Sequence, residues 1–280
     1  MSLRSSTTIA AFFTSLVLSS MLHAQQKGAA SLNDMLQHLE TNLDQYDKRV
    51  PSFFCDEHLV SQVDSSLGRR KTITDSVFRL KRVIDADNAT SLEESRDIKM
   101  VDGKPATSQG QDPNGPAMVD GLFEGGLAVV SASQKSCMKY KLERANGKQP
   151  SDVYIIRFST ELTPQNTNAC LLQEASKGSA IIDASSLQIK HLEIITPHHT
   201  IIPGDEHARS VIGMRTLEVD YAPVLLGGET LWMPSIVKMS AVGGGDTFHP
   251  TFWTFNATYR NYHKLEVTSH LHSGSMLPEQ

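Results

Sequence analysis

Apolar and polar residues recur along this chain with two different periods. Between Ser31 and Tyr46, the residues Leu32, Met35, Leu36, Leu39, Leu43 and Tyr46 fall at three-four spacing. That spacing predicts an amphipathic helix with a single apolar stripe. Ser31 with Asp34 three residues on resembles a capping box, Asp standing for the usual Glu or Gln. Pro51 forbids continuation and biases Val50 toward extended geometry. The predicted helix is about 24 Å long at ~1.5 Å per residue.

Beyond Phe53 the period falls to two. In Thr216–Tyr221, Leu217, Val219 and Tyr221 take one face and Thr216, Glu218 and Asp220 the other. In Thr251–Asn261, Trp253, Phe255, Ala257 and Tyr259 alternate with Thr254, Asn256, Thr258 and Arg260. This is the mark of antiparallel strands with one buried and one wetted face. Gly227-Gly228 is a hairpin signal leading into Leu231–Val242. Phe53–Val63 sets Phe53, Cys55, Leu59 and Val63 on one face, with Glu57 and Ser61 intruding. Lys71–Ile84 has strand composition and a slip near Val77-Phe78 that predicts a bulge. Glu93–Val101 is a further strand, closed by a turn at Asp102–Pro105. Met138–Arg144 with Val153–Ser159, and Ala180–Asp183 with Leu187–Thr196, read as two more hairpins. Gln109–Pro116, Thr163–Lys177, His198–Arg209 and Gly243–Asp246 read as loops, and Met118–Phe123 as a short helix or turn.

The fold class that follows is mostly β (α+β): a curved antiparallel sheet, or half-barrel, of roughly ten strands with one N-terminal amphipathic helix. One helix of this length is too small to cover the concave face of such a sheet. Either the sheet closes on itself or part of its apolar concavity is open to a ligand.

The chain has 280 residues and a net charge of −5. Residues 1–24 read as an export signal: Arg4, an apolar run over Ile9–Leu22, and a cleavage site at Leu22-His23-Ala24. Residues 25–270 then form one half-barrel domain, and 271–280 a disordered tail. Removal of Arg4 makes the mature chain more acidic still, and it has no basic runs. That argues against nucleic acid as a partner. No later stretch approaches the ~18 apolar residues of a membrane helix, so the mature chain is expected to lack a transmembrane segment.

Three cysteines follow the leader: Cys55, Cys137 and Cys170. In an oxidising compartment, an odd count fits one pair and one spare thiol. Cys137 with Cys170 is the pair expected, because they flank the Lys139–Thr160 hairpin; three reduced, partly buried thiols are the alternative.

Three stretches carry a family likeness. They are Gly178–Asp183 with Ile189–Glu193, then Asp220-Tyr221 through Gly227-Gly228 to Pro234, and last Tyr259-Arg260-Asn261-Tyr262-His263-Lys264-Leu265. With the leader and the N-terminal helix, this resembles the periplasmic outer-membrane lipoprotein carrier (LolA/LolB-like) superfamily. It is also similar to exported bacterial proteins with the same Asp-Tyr…Gly-Gly…Pro and Asn-Tyr endings. The resemblance implies a half-barrel lidded by helix, lipid in its concavity and a place in the periplasm or cell envelope. It transfers no ligand-contacting residue, because the family's contacts are apolar positions without a fixed motif.

Candidate chemistry is sparse. No Gly-x-Ser-x-Gly elbow occurs, and the glycine pairs lack the Lys-Ser or Lys-Thr of a phosphate cradle. No catalytic residue, metal ligand or cofactor is assigned. His198-His199 with Asp205-Glu206-His207 could serve a metal-dependent hydrolase, but the spacing matches no metal signature, and a solvated polar turn accounts for it. Trp232, Trp253, Phe255 and Tyr259 are the residues expected to line a lipid site, or else to fill the core. The reading is a non-enzymatic exported protein that binds lipid or a lipidated protein in its concave face. The alternative is an interaction module of the envelope with a filled core.

Overall fold

Among the described residues, eleven strands join into one curved sheet that does not close, accompanied by one α-helix. The computed structural model describes residues 31–84, 90–106, 123, 126–143, 152–202, 205–243 and 250–266. All of them fall within the compact unit Ser31–Gln280. The predicted leader, the tail and the loop Gln109–Pro116 lie outside the described residues.

Helix α1 spans Leu32–Arg49. Ser31 is its N-cap, its hydroxyl accepting from the backbone N–H of Asp34. That hydroxyl also donates to the Asp34 carboxylate at 2.6 Å. Lys48 and Arg49 occupy the last turn, where cations suit the helix dipole. The helix runs three residues past Tyr46 and stops at Val50, immediately before Pro51.

The strands are β1 (Phe53–Ser65), β2 (Gly68–Ile84), β3 (Thr90–Val101), β4 (Lys104–Pro105), β5 (Met138–Glu143) and β6 (Val153–Thr160), then β7 (Lys177–Asp183), β8 (Ile189–Ile202), β9 (Asp205–Leu226), β10 (Glu229–Gly243) and β11 (Thr251–Lys264). Their spatial order is β4-β3-β2-β1-β11-β10-β9-β8-β7-β6-β5. Every neighbour pair is antiparallel. The long connection from β4 to β5 joins the two edges of the sheet, so that the hairpins from β5 onward bring the last strand β11 beside the first, β1.

Three details depart from the sequence reading. The segment His198–Arg209 is not a loop: β8 and β9 continue through it as paired strands, with His198 opposite Gly213 and Ile202 opposite Asp205. The Pro203-Gly204 step that reads as loop punctuation separates the two strand ends. The irregularity in β2 falls between Asp75 and Ser76, opposite Lys99, rather than at Val77-Phe78. The alternation in β2 looks slipped because its inward positions Thr72, Thr74 and Ser76 are polar yet buried. The strands number eleven, because the two-residue β4 adds an edge beside β3.

The covered face holds the core. Met35, Leu36 and Leu39 of α1 are nearly inaccessible, as are inward residues of the sheet such as Ile156, Ala180 and Leu192. Short 3-10 turns at Gly126–Val129 and Ala132–Ser136 pack beside the helix and extend its cover. Cys137 and Cys170 are joined in a disulfide that ties the base of β5 to the turn at Thr167–Ala169. Cys55 is free and buried.

Candidate functional site

The two halves of α1 are held differently. Its first half is sealed by Met35, Leu36 and Leu39. Past Leu39 the apolar stripe continues through Leu43 and Tyr46, but both are only half-buried. They face a cleft of about 80 Å³. Ile189 at the start of β8, with Leu231 and Trp232 at the start of β10, forms the opposite wall. Asn42, Arg49 and Glu229 stand around its polar edge.

Polar contacts hold this second half in place. The Asn42 side-chain amide donates to the carbonyl of Leu187 at 2.9 Å. The Tyr46 hydroxyl donates to the carbonyl of Phe123 at 3.1 Å. Arg82 of β2 donates to the carbonyls of Val50 and Asp47. Arg49 and Glu229 approach to 3.8 Å with both side chains exposed, a pairing that contributes little. Leu187 itself sits at φ 53° in the turn between β7 and β8. Asp183 organises that turn by accepting from the N–H and hydroxyl groups of Ser185 and Ser186. These bonds hold the Asp183 carboxyl at about 2, below its usual 3.8.

A second polar feature lies inside the covered face. Glu57 on β1 has no exposed side-chain surface, and Arg96 on β3 has little. The Glu57 carboxylate accepts from Arg96 Nε at 2.9 and 3.0 Å and from the Ser76 hydroxyl at 2.6 Å. The Arg96 guanidinium also lies 5.3 Å from the ring centre of Phe78. Around the pair, Phe53, Phe78, Phe123 and Tyr259 form a cluster with ring centres 4.6 to 6.3 Å apart. Burial, and the nearby Glu57 charge after it, raises the Tyr259 phenol well above its ordinary range.

The four aromatic residues expected to line a lipid site do not converge. Trp232 lies in the cleft beside α1. Phe255 and Tyr259 are fully packed, 0% and 2% exposed. Trp253 is half-buried near the start of β11, edge-on to His198 at 5.8 Å. It is about 20 Å along the strand from Tyr259 at ~3.3 Å per residue. Of the His198–His207 cluster, only the His198 side chain is described; its Nδ1 donates to the carbonyl of Val242 at 2.7 Å. Among the described residues, no three His, Cys, Asp or Glu side chains gather as metal ligands would.

Sequence reasoning missed the cleft. Its walls come from α1 and, more than 130 residues further along the chain, from the turn before β8 and the hairpin before β10. Gly227-Gly228 signals the hairpin, but nothing local signals that it faces a helix. On the outer face, a wider depression of about 420 Å³ is lined by polar groups of both signs, among them Asp56, His58, Asp75, Lys99 and Arg260. His58 and Asp75 pair there at 2.7 Å.

No protein-family model matches this chain, and no curated protein matches it. Among solved structures it is similar to a DUF1329 family protein from Desulfovibrio piger, with 10% identity, 82% of this chain and 92% of the other covered, and a TM-score of 0.38. It is also similar to a domain assigned to outer-membrane lipoprotein sorting from Vibrio parahaemolyticus, with 11% identity, 80% and 89% covered, and a TM-score of 0.33. The Pseudomonas aeruginosa MucA/MucB complex aligns at 10% identity over 82% of this chain and 94% of the other, with a TM-score of 0.20. At such scores the likenesses bear on neither ligand nor partner.

Proposed function

We propose that the protein is a non-enzymatic, exported envelope protein that takes an acyl chain between α1 and the sheet. One observation carries this reading. The apolar stripe of α1 outruns the core, so that Leu43 and Tyr46 face Ile189, Leu231 and Trp232 across a cleft. The cleft volume of about 80 Å³ is below the ~300 Å³ of a ligand pocket, so binding requires the second half of α1 to lift. That half is held by hydrogen bonds and an exposed ion pair, which exchange for water at small net cost. The leader-like residues 1–24 support export, and the acidic mature chain fits neither nucleic acid nor an anionic membrane surface.

A second reading rests on a different observation. The aromatic cluster around Phe123 is closely packed, as in an interaction module whose concavity is filled by its own side chains. The chain's two tryptophans separate the readings. In a Trp253→Phe variant, 9,10-dibromostearate should quench most of the Trp232 emission at saturation. In a Trp232→Phe variant, Trp253 should stay bright. Quenching of neither tryptophan favours the filled module, and quenching of Trp253 alone would move the site away from α1.

A further inference from the structure

The depression of about 420 Å³ on the outer face is within the size range of small-molecule sites, unlike the cleft beside α1. Strand β1 crosses it with an alternating pattern: Cys55, Glu57 and Leu59 are buried, while Asp56 and His58 turn outward and are exposed. Two irregularities break the regular sheet here, one on each side of β1. On β11, Asn261 and Tyr262 together oppose Cys55. On β3, Lys99 is the extra residue opposite the step from Asp75 to Ser76. Asn261 and Lys99 both line the depression. Bulges of this kind re-aim side chains and recur next to active sites.

The irregularity at Asn261 redirects the charges around it. Asp56 and Arg260 are register partners on β1 and β11, where opposite charges ordinarily pair across the strands. They form no ion pair. Asn261, held at φ 56°, donates its side-chain amide to Asp56 at 2.7 Å instead. Arg260 is exposed and lines the depression with no carboxylate partner among the described residues. Across β1, Asp75 pairs with His58 Nδ1 at 2.7 Å, and Lys99 donates to Asp97 at 2.6 Å. These contacts take up Oδ2 of Asp56 and Oδ1 of Asp75, so each carboxylate keeps its other oxygen for a donor from outside.

The lining thus sets two carboxylates, Asp56 and Asp75, against two cations, Lys99 and Arg260. A simple anion meets the carboxylates, and a simple cation meets Lys99 and Arg260. A molecule that carries both charges a few bonds apart satisfies both, with the planar guanidinium suited to an oxyanion. Among the described lining residues there is no Phe, Tyr or Trp on which a sugar would stack. We propose that this depression binds a small zwitterion, its oxyanion on Arg260 and its ammonium on Asp56 and Asp75. An α-amino acid and the phosphoethanolamine head of a lipid both have this chemistry. The proposal is independent of the acyl-chain reading, since the depression and the cleft share no lining residue.

The test follows the His58 ring by heteronuclear NMR at neutral pH, its signal assigned from the loss in His58→Gln. The titrants are L-alanine, O-phosphoethanolamine, acetate and ethylammonium. At least one of the two zwitterions should shift the ring. Acetate and ethylammonium should bind about fivefold more weakly or worse, the worth of a second charged contact at an exposed site. Arg260→Gln and Asp56→Asn should each weaken zwitterion binding by a similar factor at unchanged melting temperature. A response to L-alanine alone assigns a free amino acid, and a response to O-phosphoethanolamine alone assigns a lipid headgroup. Responses to both support the shared chemistry. No shift with either zwitterion overturns the proposal. So does acetate or ethylammonium binding as tightly, and so does zwitterion binding that survives both substitutions. The wild-type comparison needs no variant, so it decides even where a substitution unfolds the protein.

Discussion

Glu57 is among the largest fully buried side chains of the sheet, and it is charged against the grain of its surroundings. Three donor contacts from Arg96 and Ser76 make that burial tolerable. An ion pair of this kind roughly balances its desolvation, but removing one partner strands the other. Arg96→Ala should therefore cost about 3–5 kcal/mol in urea unfolding. Replacing both residues by apolar ones of similar size should restore most of the loss. A cost near zero for Arg96→Ala would mean that Glu57 is not held as described. The sequence shows Glu57 and Ser61 interrupting an apolar face, which is legible as an anomaly. It does not show that Ser76 of the adjoining strand β2 and Arg96 of β3, one strand further out, answer Glu57, because that depends on register.

At the scale of elements, α1 was the most legible part of the chain. Its stripe, cap and stop are all local and all agree. The hairpin of β9 and β10 was equally readable from alternation and Gly227-Gly228. The strands through 198–209 were not, because histidines and Pro203-Gly204 outweigh the β-branched residues between them. The seat of α1 was also hidden, since it depends on the turn before β8. Asp183 shapes that turn, and Asn42 of the helix binds its Leu187 carbonyl. The carboxyl is depressed to about 2 from an ordinary 3.8. A depressed carboxyl stabilises the fold above its unfolded value and ceases to do so as pH falls through the folded one. The stabilisation from this turn should thus be complete above about pH 4 and lost toward pH 2. Asp183→Asn should flatten the stability profile in that window and nowhere else. An unchanged profile would show that the turn does not depend on the carboxylate.

Across the whole molecule, eleven antiparallel strands form an open, curved sheet whose covered face is shared between a packed core and a cleft. The class of fold was legible because period-two alternation recurs in most strands. The number of strands and the extent of cover were not, since a two-residue strand leaves no periodic signal and the 3-10 turns beside α1 have no amphipathic stripe. No helix among the described residues is long and apolar enough to cross a membrane. The central claim is that α1 and the sheet take up an acyl chain between them. Native mass spectrometry of residues 25–280 purified from an exporting host tests it most directly, with organic extraction of the same sample. The account predicts added mass that extracts as acyl lipid or acylated peptide, and that falls away when Trp232→Asp is introduced without unfolding. A bare polypeptide mass that stays bare after incubation with lysolipids and lipopeptides would contradict it, and would leave the filled interaction module in its place.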